Sequence, residues 1–154
     1  MSERRPGVFV DADACPVKDE VYQVALRYGL NVTLVSNSWL RTPREDWLEL
    51  VIVDPELDAA DAWIIEQVVR DDIVITADIP LASECLKKGA RVLGPRGRPF
   101  TEDSIGSALA TRELLSQLRD IGEMSGGPPP FEKKDRSQFL QALDQMIQAI
   151  RRGR

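Results

Sequence analysis

Two hydrophobic patterns alternate along the first ninety residues of the chain. Short runs rich in Val, Ile and Leu are typical of buried strands, whereas an apolar residue at every third or fourth position is typical of a helix. The runs predict five strands, at 8–11, 31–35, 48–53, 72–76 and 91–93. The helical spacing predicts three helices, at 16–28, 58–69 and 80–88. Strands that alternate with helices favour an α/β fold, here a three-layer α/β/α sandwich with a mainly parallel five-stranded sheet, in which 91–93 is an edge strand.

The pattern changes after Leu93. A basic, turn-rich loop at 94–99 precedes a predicted helix at 101–121, and a Gly- and Pro-rich loop at 126–130 precedes a last helix. Asp135, with Gln138 three residues later, predicts a capping box at the start of that helix. Its apolar face consists of Phe139, Leu140, Leu143, Ile147 and Ile150. We therefore expect residues 1–154 to form a single domain, in which the basic loop and C-terminal helices of 95–154 pack on the core.

Composition excludes several classes of function. The 154-residue chain has no His, which removes Ser-His and Cys-His catalysis and His-ligated metals. Two cysteines, Cys15 and Cys85, do not make a disulfide framework, and no apolar run approaches the roughly 20 residues of a membrane span. We therefore expect a cytoplasmic protein with no membrane partner, and we assign both thiols a packing role.

The net charge of −5 is unevenly distributed. Residues 1–86 carry 17 acidic and 7 basic side chains, whereas residues 87–154 carry 8 and 13. One interpretation is an acidic catalytic part beside a basic surface that binds a polyanion. The other is a solvated surface on which charge is unevenly spread.

Acidic residues follow two of the predicted strands. Asp11 and Asp13 end the first strand, Asp78 follows the fourth, and Asp58 and Asp61 share one face at the start of a helix. Ligands of open parallel sheets bind beyond the carboxyl ends of the strands, so these side chains are expected to converge. Their repulsion would be relieved by a hard divalent cation, and oxygen ligands suit Mg²⁺ or Mn²⁺. All five are therefore candidate metal ligands.

Each acid taken singly also has a structural interpretation. Asp58 suits a helix N-cap with Asp61 as a favourable charge in the first turn, while Asp13 and Asp78 could cap the helices that follow them. Asp11 has no such explanation, because it ends a buried strand. The combination therefore favours a metal site.

The chain contains several distinctive motifs: DADACP, the Ser36-Asn37 pair, DAADAWI, DIVITADIPLA, GPRGRPFT and GGP. Together they resemble the YaiI/YqxD family of bacterial proteins, which is similar to the PIN-domain and flap-nuclease superfamily. The resemblance implies a PIN-like fold in which acids hold Mg²⁺ or Mn²⁺. Asp11 matches the acid after the first PIN strand, Asp61 the acid that opens the helix before the fourth strand, and Asp78 the acid of a Thr-x-Asp motif.

The chain also departs from the PIN pattern. Asp13 stands where PIN domains often have Asn or Ser. PIN nucleases carry a further acid on a mid-chain helix, and none of Glu45, Asp46 and Glu49 lies in a recognisable motif. Asp58 or Asp13 could supply that charge.

The resemblance and the acids together predict a nuclease that hydrolyses phosphodiester bonds of RNA or DNA, with RNA the first expectation. Asp11, Asp61 and Asp78 are the expected catalytic residues. Ser36, Asn37 and Thr76 are expected to orient them. The candidate contacts to the nucleic-acid backbone are Arg96, Arg98, Lys133 and Lys134.

Two alternatives remain open. A haloacid-dehalogenase-type phosphatase would use Asp11 as nucleophile and Asp13 as general acid, with Thr76 and either Lys87 or Lys88, but its later acidic motif is missing. A non-catalytic module would bind RNA or protein on a degenerate acidic site, with the basic C-terminal third as its contact surface.

Overall fold

A computed structural model of the chain describes residues 5–13, 15–56, 58–120, 122 and 130–153. Residues 126–129 of the predicted loop at 126–130, the predicted helix end at residue 121, and Ala14 of the acidic motif lie outside these ranges. No helix in the described ranges is both long enough and apolar enough to cross a membrane.

One mixed sheet of six strands forms within the described ranges. The strands are β1 (Val8–Asp11), β2 (Val32–Ser36), β3 (Leu48–Ile52), β4 (Ile73–Ile75), β5 (Arg91–Leu93) and β6 (Pro99–Phe100). Their order is β3-β2-β1-β4-β5-β6, and every neighbouring pair is parallel except β5 with β6. The predicted edge position of 91–93 is therefore wrong, because the antiparallel β6 covers it. Pro99 lacks an N–H, which suits this short edge strand.

Five helices accompany the sheet in the part of the chain that the structure describes. They are α1 (Lys18–Tyr28), α2 (Ala59–Gln67), α3 (Ile79–Lys87), α4 (Glu102–Asp120) and α5 (Lys133–Arg151). The predicted capping box at 135–138 is wrong, because α5 begins earlier. Glu132 is its N-cap, and the Glu132 N–H donates to the Asp135 carboxylate at 2.9 Å.

The core consists of two hydrophobic clusters, to which successive residues of one strand contribute alternately. Ile73 and Ile75 of β4 belong to the first cluster, and Val74 belongs to the second. This alternation is the two-residue period of a strand. Helices α1 and α5 contribute to the first cluster, and α2 and α3 contribute to the second.

Helix α5 is tied to α1 by polar contacts as well as by apolar packing. Arg27 Nη1 lies 2.6 Å from Asp144, the Tyr28 hydroxyl donates to the same carboxylate at 2.7 Å, and Arg136 Nη1 lies 3.2 Å from Glu20. Phe139, Leu143 and Ile147 of α5 are fully buried in the first cluster. The C-terminal helix is thus part of the core.

The strand order places a crevice beside β1 and β4. From β1 the chain continues to β2 toward one edge strand, and from β4 it continues to β5 toward the other edge strand. Strands β1 and β4 therefore flank the point where the strand order reverses. Ligands of open α/β sheets bind outside the carboxyl ends of the strands at such a point. Asp11 is the last residue of β1, and Asp78 lies three residues beyond the end of β4.

Candidate active site

The five predicted acids line one cavity at the carboxyl ends of the strands. Its volume is about 410 Å³, and we call it the acidic cavity. Its lining consists of Asp11, Asp13, Asn37, Pro55, Glu56, Asp58, Ala59, Ala60, Asp61 and Asp78. A smaller cavity of about 140 Å³ shares three of these acids and adds Cys15 and Thr76. The five aspartates that the sequence predicted to converge therefore do line the same cavity.

A single buried hydroxyl connects the ends of β1 and β4. Thr76 is 3% exposed, and its Oγ1 donates to Asp11 Oδ2 at 2.9 Å. The Asp78 N–H in turn donates to Thr76 Oγ1 at 3.0 Å. Thr76 therefore orients the Asp11 carboxylate and fixes the backbone from which Asp78 extends.

Asp13 is held by the end of β2. Ser36 Oγ donates to Asp13 Oδ1 at 2.8 Å, and the Asn37 N–H donates to Asp13 Oδ2 at 3.1 Å. The carboxylate therefore does not cap α1, the role that the structural interpretation gave it. Thr76, Ser36 and Asn37, the three predicted orienting residues, each contact an acid of the site.

Asp58 and Asp61 enter the cavity from the start of α2. Asp58 occupies the N-cap position with φ +66°, and its side chain makes no capping hydrogen bond. A left-handed backbone is uncommon for a residue other than Gly, although Asp tolerates it better than most. Asp61 follows in the first turn. The start of α2 therefore contributes two carboxylates to the cavity, and the Asp58 carboxylate is not used in a capping hydrogen bond.

Asp78 has a structural role as well as a place in the site. It is the N-cap of α3, and its Oδ1 accepts from the Leu81 N–H at 2.9 Å. This confirms the predicted cap. The same carboxylate also lines both acid-lined cavities.

The carboxylates of the cavity repel one another. Burial, together with the charges of Asp78, Asp11 and Asp58, raises the pKa of Asp61 from 3.8 to about 6. Burial also raises the pKa of Asp11, against the opposing effect of its hydrogen bond from Thr76. Proximity of like charges and removal from water both disfavour ionised carboxylates. The site therefore carries unfavourable electrostatic energy that a cation would relieve.

The donor atoms suit a hard divalent ion, although they do not form a closed cage. Across the described ranges, no three Asp, Glu, Cys or His side chains are grouped so that they could hold one metal ion. Mg²⁺ commonly retains several waters and is bound through one or two carboxylates plus substrate phosphates. The residues present therefore fit an ion whose coordination is completed by water and phosphate oxygens.

Glu56 is an acid of the site that sequence reasoning missed. It lines the acidic cavity and follows the end of β3. Glu45 and Asp46 precede β3 and therefore lie toward the amino ends of the strands, away from the acids, while Glu49 is within the strand. The rule that located Asp11 and Asp78, an acid just beyond a strand end, would also have found Glu56.

Both cysteines are free thiols in the described part of the chain. Burial raises the pKa of the Cys15 thiol and raises that of Cys85 to about 11, so both are protonated at neutral pH. Lys18 Nζ donates to the Cys15 carbonyl at 2.9 Å and thereby anchors the turn that follows Asp13. This chemistry fits packing better than nucleophilic attack.

The four basic residues predicted to hold a nucleic-acid backbone line neither acid-lined cavity. Arg96 Nη1 lies 3.0 Å from the Asp135 carboxylate, and its guanidinium lies 5.5 Å from the centre of the Phe131 ring. Lys134 pairs with Glu132 at 3.3 Å, Lys133 lies at the start of α5, and Arg98 lines a separate cavity of about 350 Å³ beside α5.

Both candidates for the single lysine of a phosphatase, Lys87 and Lys88, lie away from the acids. Lys87 ends α3 and pairs with Glu84, and Lys88 donates to the Ile65 carbonyl. Helix α3 begins beside Asp78 and rises about 1.5 Å per residue, so its end lies about 12 Å farther along the axis. The arrangement therefore brings neither Lys87 nor Lys88 to Asp11.

Comparison with known proteins gives one consistent result. Residues 9–149 match the model of a family described as "Uncharacterized BCR, YaiI/YqxD family". The chain is 56% identical over 146 residues to a UPF0178 protein of Nitrobacter winogradskyi, covering 95% of this chain and 93% of the relative. It is 57% identical over 145 residues to one of Paramagnetospirillum magneticum, covering 94% and 96%. A third relative, from Rhodopseudomonas palustris strain TIE-1, is 53% identical over 154 residues, covering 100% and 98%. No solved structure matches significantly.

Proposed function

The chain belongs to the YaiI/YqxD family, and on that premise we propose that it is a nuclease that hydrolyses phosphodiester bonds of RNA or DNA with Mg²⁺ or Mn²⁺. RNA is the first expectation. Helix residues belong to two hydrophobic clusters, and the strands contribute alternate residues to each cluster. We therefore further propose a three-layer, PIN-like arrangement. Two free thiols suit action in the reducing cytoplasm.

The observation that supports the proposal is the composition of the acidic cavity. Five aspartates from three separate segments line it, and no basic side chain of the described ranges does. A phosphodiester anion would be repelled by such a surface. Binding and hydrolysis there therefore require a cation that the chain itself does not supply.

The residues of the site have distinct proposed roles. A bound divalent ion would supply an activated water and stabilise the negative charge that develops on phosphorus. Of Asp11, Asp61 and Asp78, at most two would contact the ion directly and the third would act through a bound water, while Asp13 and Asp58 would add negative charge that favours it. Thr76 keeps Asp11 in place, and Ser36 and Asn37 keep Asp13 in place, so the carboxylates need little reorganisation.

The proposal is tested by removing one carboxylate. Wild-type protein should cleave a 5′-labelled single-stranded RNA in MnCl₂ and lose that activity in EDTA. Asp11→Asn nearly preserves shape and can still accept from Thr76, yet it should reduce cleavage by about 100-fold or more. Glu66→Gln is the matched control, because it removes a charge from the exposed far end of α2.

Thermal melts provide the second measurement. An ion that binds the native state at ten times its Kd stabilises the fold by about 1.4 kcal/mol. Excess MnCl₂ should therefore raise the melting temperature of wild type and of Glu66→Gln, but not that of Asp11→Asn. A wild-type protein that neither cleaves nor gains stability from manganese would rule out the nuclease.

A non-catalytic binding module is the second candidate. It is favoured by the finding that no three potential ligands are grouped around one point in the described ranges. Such a module would bind oligonucleotide or protein without manganese-dependent stabilisation and without cleavage. The same two measurements separate it from the nuclease.

A further inference from the structure

Helix α4 has no buried residue along its 19-residue length. Among the elements of the fold it packs mainly on α3. Between the start of α3 and helix α4 lies a groove of about 630 Å³, which we call the α3–α4 groove. Its lining consists of Ala77, Asp78, Ile79, Ser107, Ala108, Thr111, Arg112, Leu115 and Arg119.

The α3–α4 groove adjoins the proposed site of cleavage. Asp78 lines both the groove and the acidic cavity, and Ala77 lines both the groove and the smaller acid-lined cavity. A chain-like molecule that lies in the groove would therefore extend to the acids without leaving the surface. The groove and the cavity differ in charge, since the groove contains two arginines and a single acid.

Arg112 and Arg119 are available to an anion. Both side chains are exposed, and neither forms an ion pair with another residue of the described ranges. This distinguishes them from Arg96 and Lys134, which are engaged by Asp135 and Glu132.

The spacing of the two arginines matches the repeat of a stacked nucleic-acid strand. Residues seven apart lie within about 20° of one helix face and about 10.5 Å apart along the axis. A stacked strand advances about 3.4 Å per nucleotide, so the two guanidinium groups are spaced for phosphates three nucleotides apart.

The remaining lining suits the sugars and bases of a single strand. Ala108 and Leu115 offer an apolar surface, and Thr111 offers a hydroxyl for phosphate or sugar contacts. Bases can contact such an apolar surface only when they are unpaired, which favours a single strand over a duplex.

We propose that the α3–α4 groove binds single-stranded nucleic acid on one side of the scissile phosphodiester, with Arg112 and Arg119 contacting its phosphates. The proposal rests on the proposed function, because it makes the groove part of the same substrate path. A symmetric contact with a second copy fits less well, since it would bring equivalent arginines toward one another across the two-fold axis.

Binding is measured apart from cleavage. The probe is a 12-nucleotide, 5′-fluorescein-labelled oligouridylate, and its anisotropy is followed from 50 to 300 mM KCl in the Asp11→Asn background with MgCl₂ present. Arg112→Gln and Arg119→Gln should each lower the slope of log K against log salt by about 0.7, the value for one phosphate contact on a single strand. The double variant should bind at least tenfold more weakly at 100 mM KCl.

Arg70→Gln is the matched control. Arg70 is exposed, lies close to Gly89 and precedes β4, so it is near the amino ends of the strands and away from the acids. The substitution removes the same charge as the groove variants but at a distant place, so affinity and salt slope should stay unchanged. Replacing both groove arginines by Lys keeps the charge and should restore the slope, which separates a lost contact from a damaged fold.

Each result decides between the two proposals. Unchanged affinity and slope in the Arg112→Gln/Arg119→Gln variant, no binding of the probe, or a dimer that these substitutions disperse would overturn the groove. Arginine-dependent binding without manganese-dependent cleavage by wild type would support the groove and reject the nuclease. Full cleavage efficiency in the double variant would support the nuclease and reject the groove.

Discussion

The pKa of Asp61 reflects the burial and the negative charges of the whole acidic cavity. Its pKa is raised to about 6 by burial and by three neighbouring acids, whereas an unfolded chain would leave it near 3.8. The native state therefore binds a proton more tightly than the unfolded state. Ionised Asp61 consequently lowers the stability of the fold above pH 6, and this cost disappears as pH falls below about 4.

Asp61→Asn should therefore stabilise the metal-free protein at neutral pH. In EDTA at pH 7.5 we expect the free energy of unfolding to rise by about 1 kcal/mol, after allowance for solvent screening of a partly exposed group. The advantage should shrink toward pH 4. Denaturation followed by circular dichroism at pH 4, 5, 6 and 7.5 measures it, with Glu66→Gln as control. An Asn variant less stable than wild type at pH 7.5 would contradict the repulsion described above.

Asp78 permits its two roles to be separated by two substitutions. Asn caps a helix about as well as Asp, whereas Ala loses the bond to the Leu81 N–H and should cost about 1 kcal/mol of unfolding free energy. Both substitutions should abolish stabilisation by manganese. Urea titrations with EDTA or MnCl₂ distinguish the effects, and a wild-type manganese response in Asp78→Asn would remove Asp78 from the ion site.

At the residue scale, the sequence predicted the acids that follow strand ends better than it predicted their local contacts. Asp11 and Asp78 meet because parallel strands end at the same edge of a sheet. The left-handed backbone of Asp58 depends on tertiary packing, so no local pattern shows it. The sequence did predict Ser36 and Asn37 as orienting residues, but it did not identify Asp13 as the acid they contact.

At the scale of elements, hydrophobic periodicity was sufficient for strands of three or more residues. The five predicted strands correspond to β1–β5, with a difference of at most one residue at either end. The two-residue β6 has no period to detect and begins with Pro99. The start of α5 was placed late because Asp135 resembles an N-cap, although it is the third residue of the helix.

Gly97 controls how the turn after β5 meets α5. Its φ is +87°, and a Cβ placed there would lie 2.7 Å from the carbonyl carbon and oxygen of Gln138. Gly97→Ala should therefore lower the unfolding free energy by about 1–2 kcal/mol from backbone strain alone, with a further loss from the collision.

Gly106→Ala is the control of opposite sign. Gly106 lies within α4, and a Cβ there would meet nothing within 4 Å. This substitution should raise stability by about 0.8–1.0 kcal/mol, the difference in helix propensity between Gly and Ala. Chemical denaturation of both variants provides the comparison, and a Gly97→Ala variant as stable as wild type would show that α5 can retreat from the turn at no cost.

At the scale of the whole molecule, stability should be unevenly distributed between the two long C-terminal helices. Helix α5 buries Phe139, Leu143 and Ile147, whereas α4 buries none of its residues. Elements with few buried contacts open locally at low free energy. Hydrogen exchange followed by mass spectrometry should therefore show α4 exchanging much faster than α5, and the oligouridylate should slow α4 selectively. Equal protection of the two helices would contradict this.

The charge asymmetry of the sequence assigned the excess of basic residues to 87–154, but it could not indicate which of those residues are free to bind a ligand. Arg96 is engaged by Asp135, 39 residues later, and that pairing exists only because α5 packs on the core. Arg112 and Arg119 belong to α4, and nothing in the sequence of this helix distinguishes it from an ordinary solvent-exposed amphipathic helix. Their position beside the acids follows from the packing of α4 on α3.

The contact of α5 with α1 has a consequence for biosynthesis. Arg27 and Asp144 are 117 residues apart, and Arg136 and Glu20 are 116 apart, so α1 leaves the ribosome long before its partner exists. At about 5–20 residues per second, the first cluster would lack its α5 side for several seconds or more of translation. The growing chain would meanwhile expose an uncovered apolar face of its sheet, which makes it a client for chaperones at the ribosome exit. A messenger truncated before the codons of α5 should yield an aggregating product rather than a smaller folded protein.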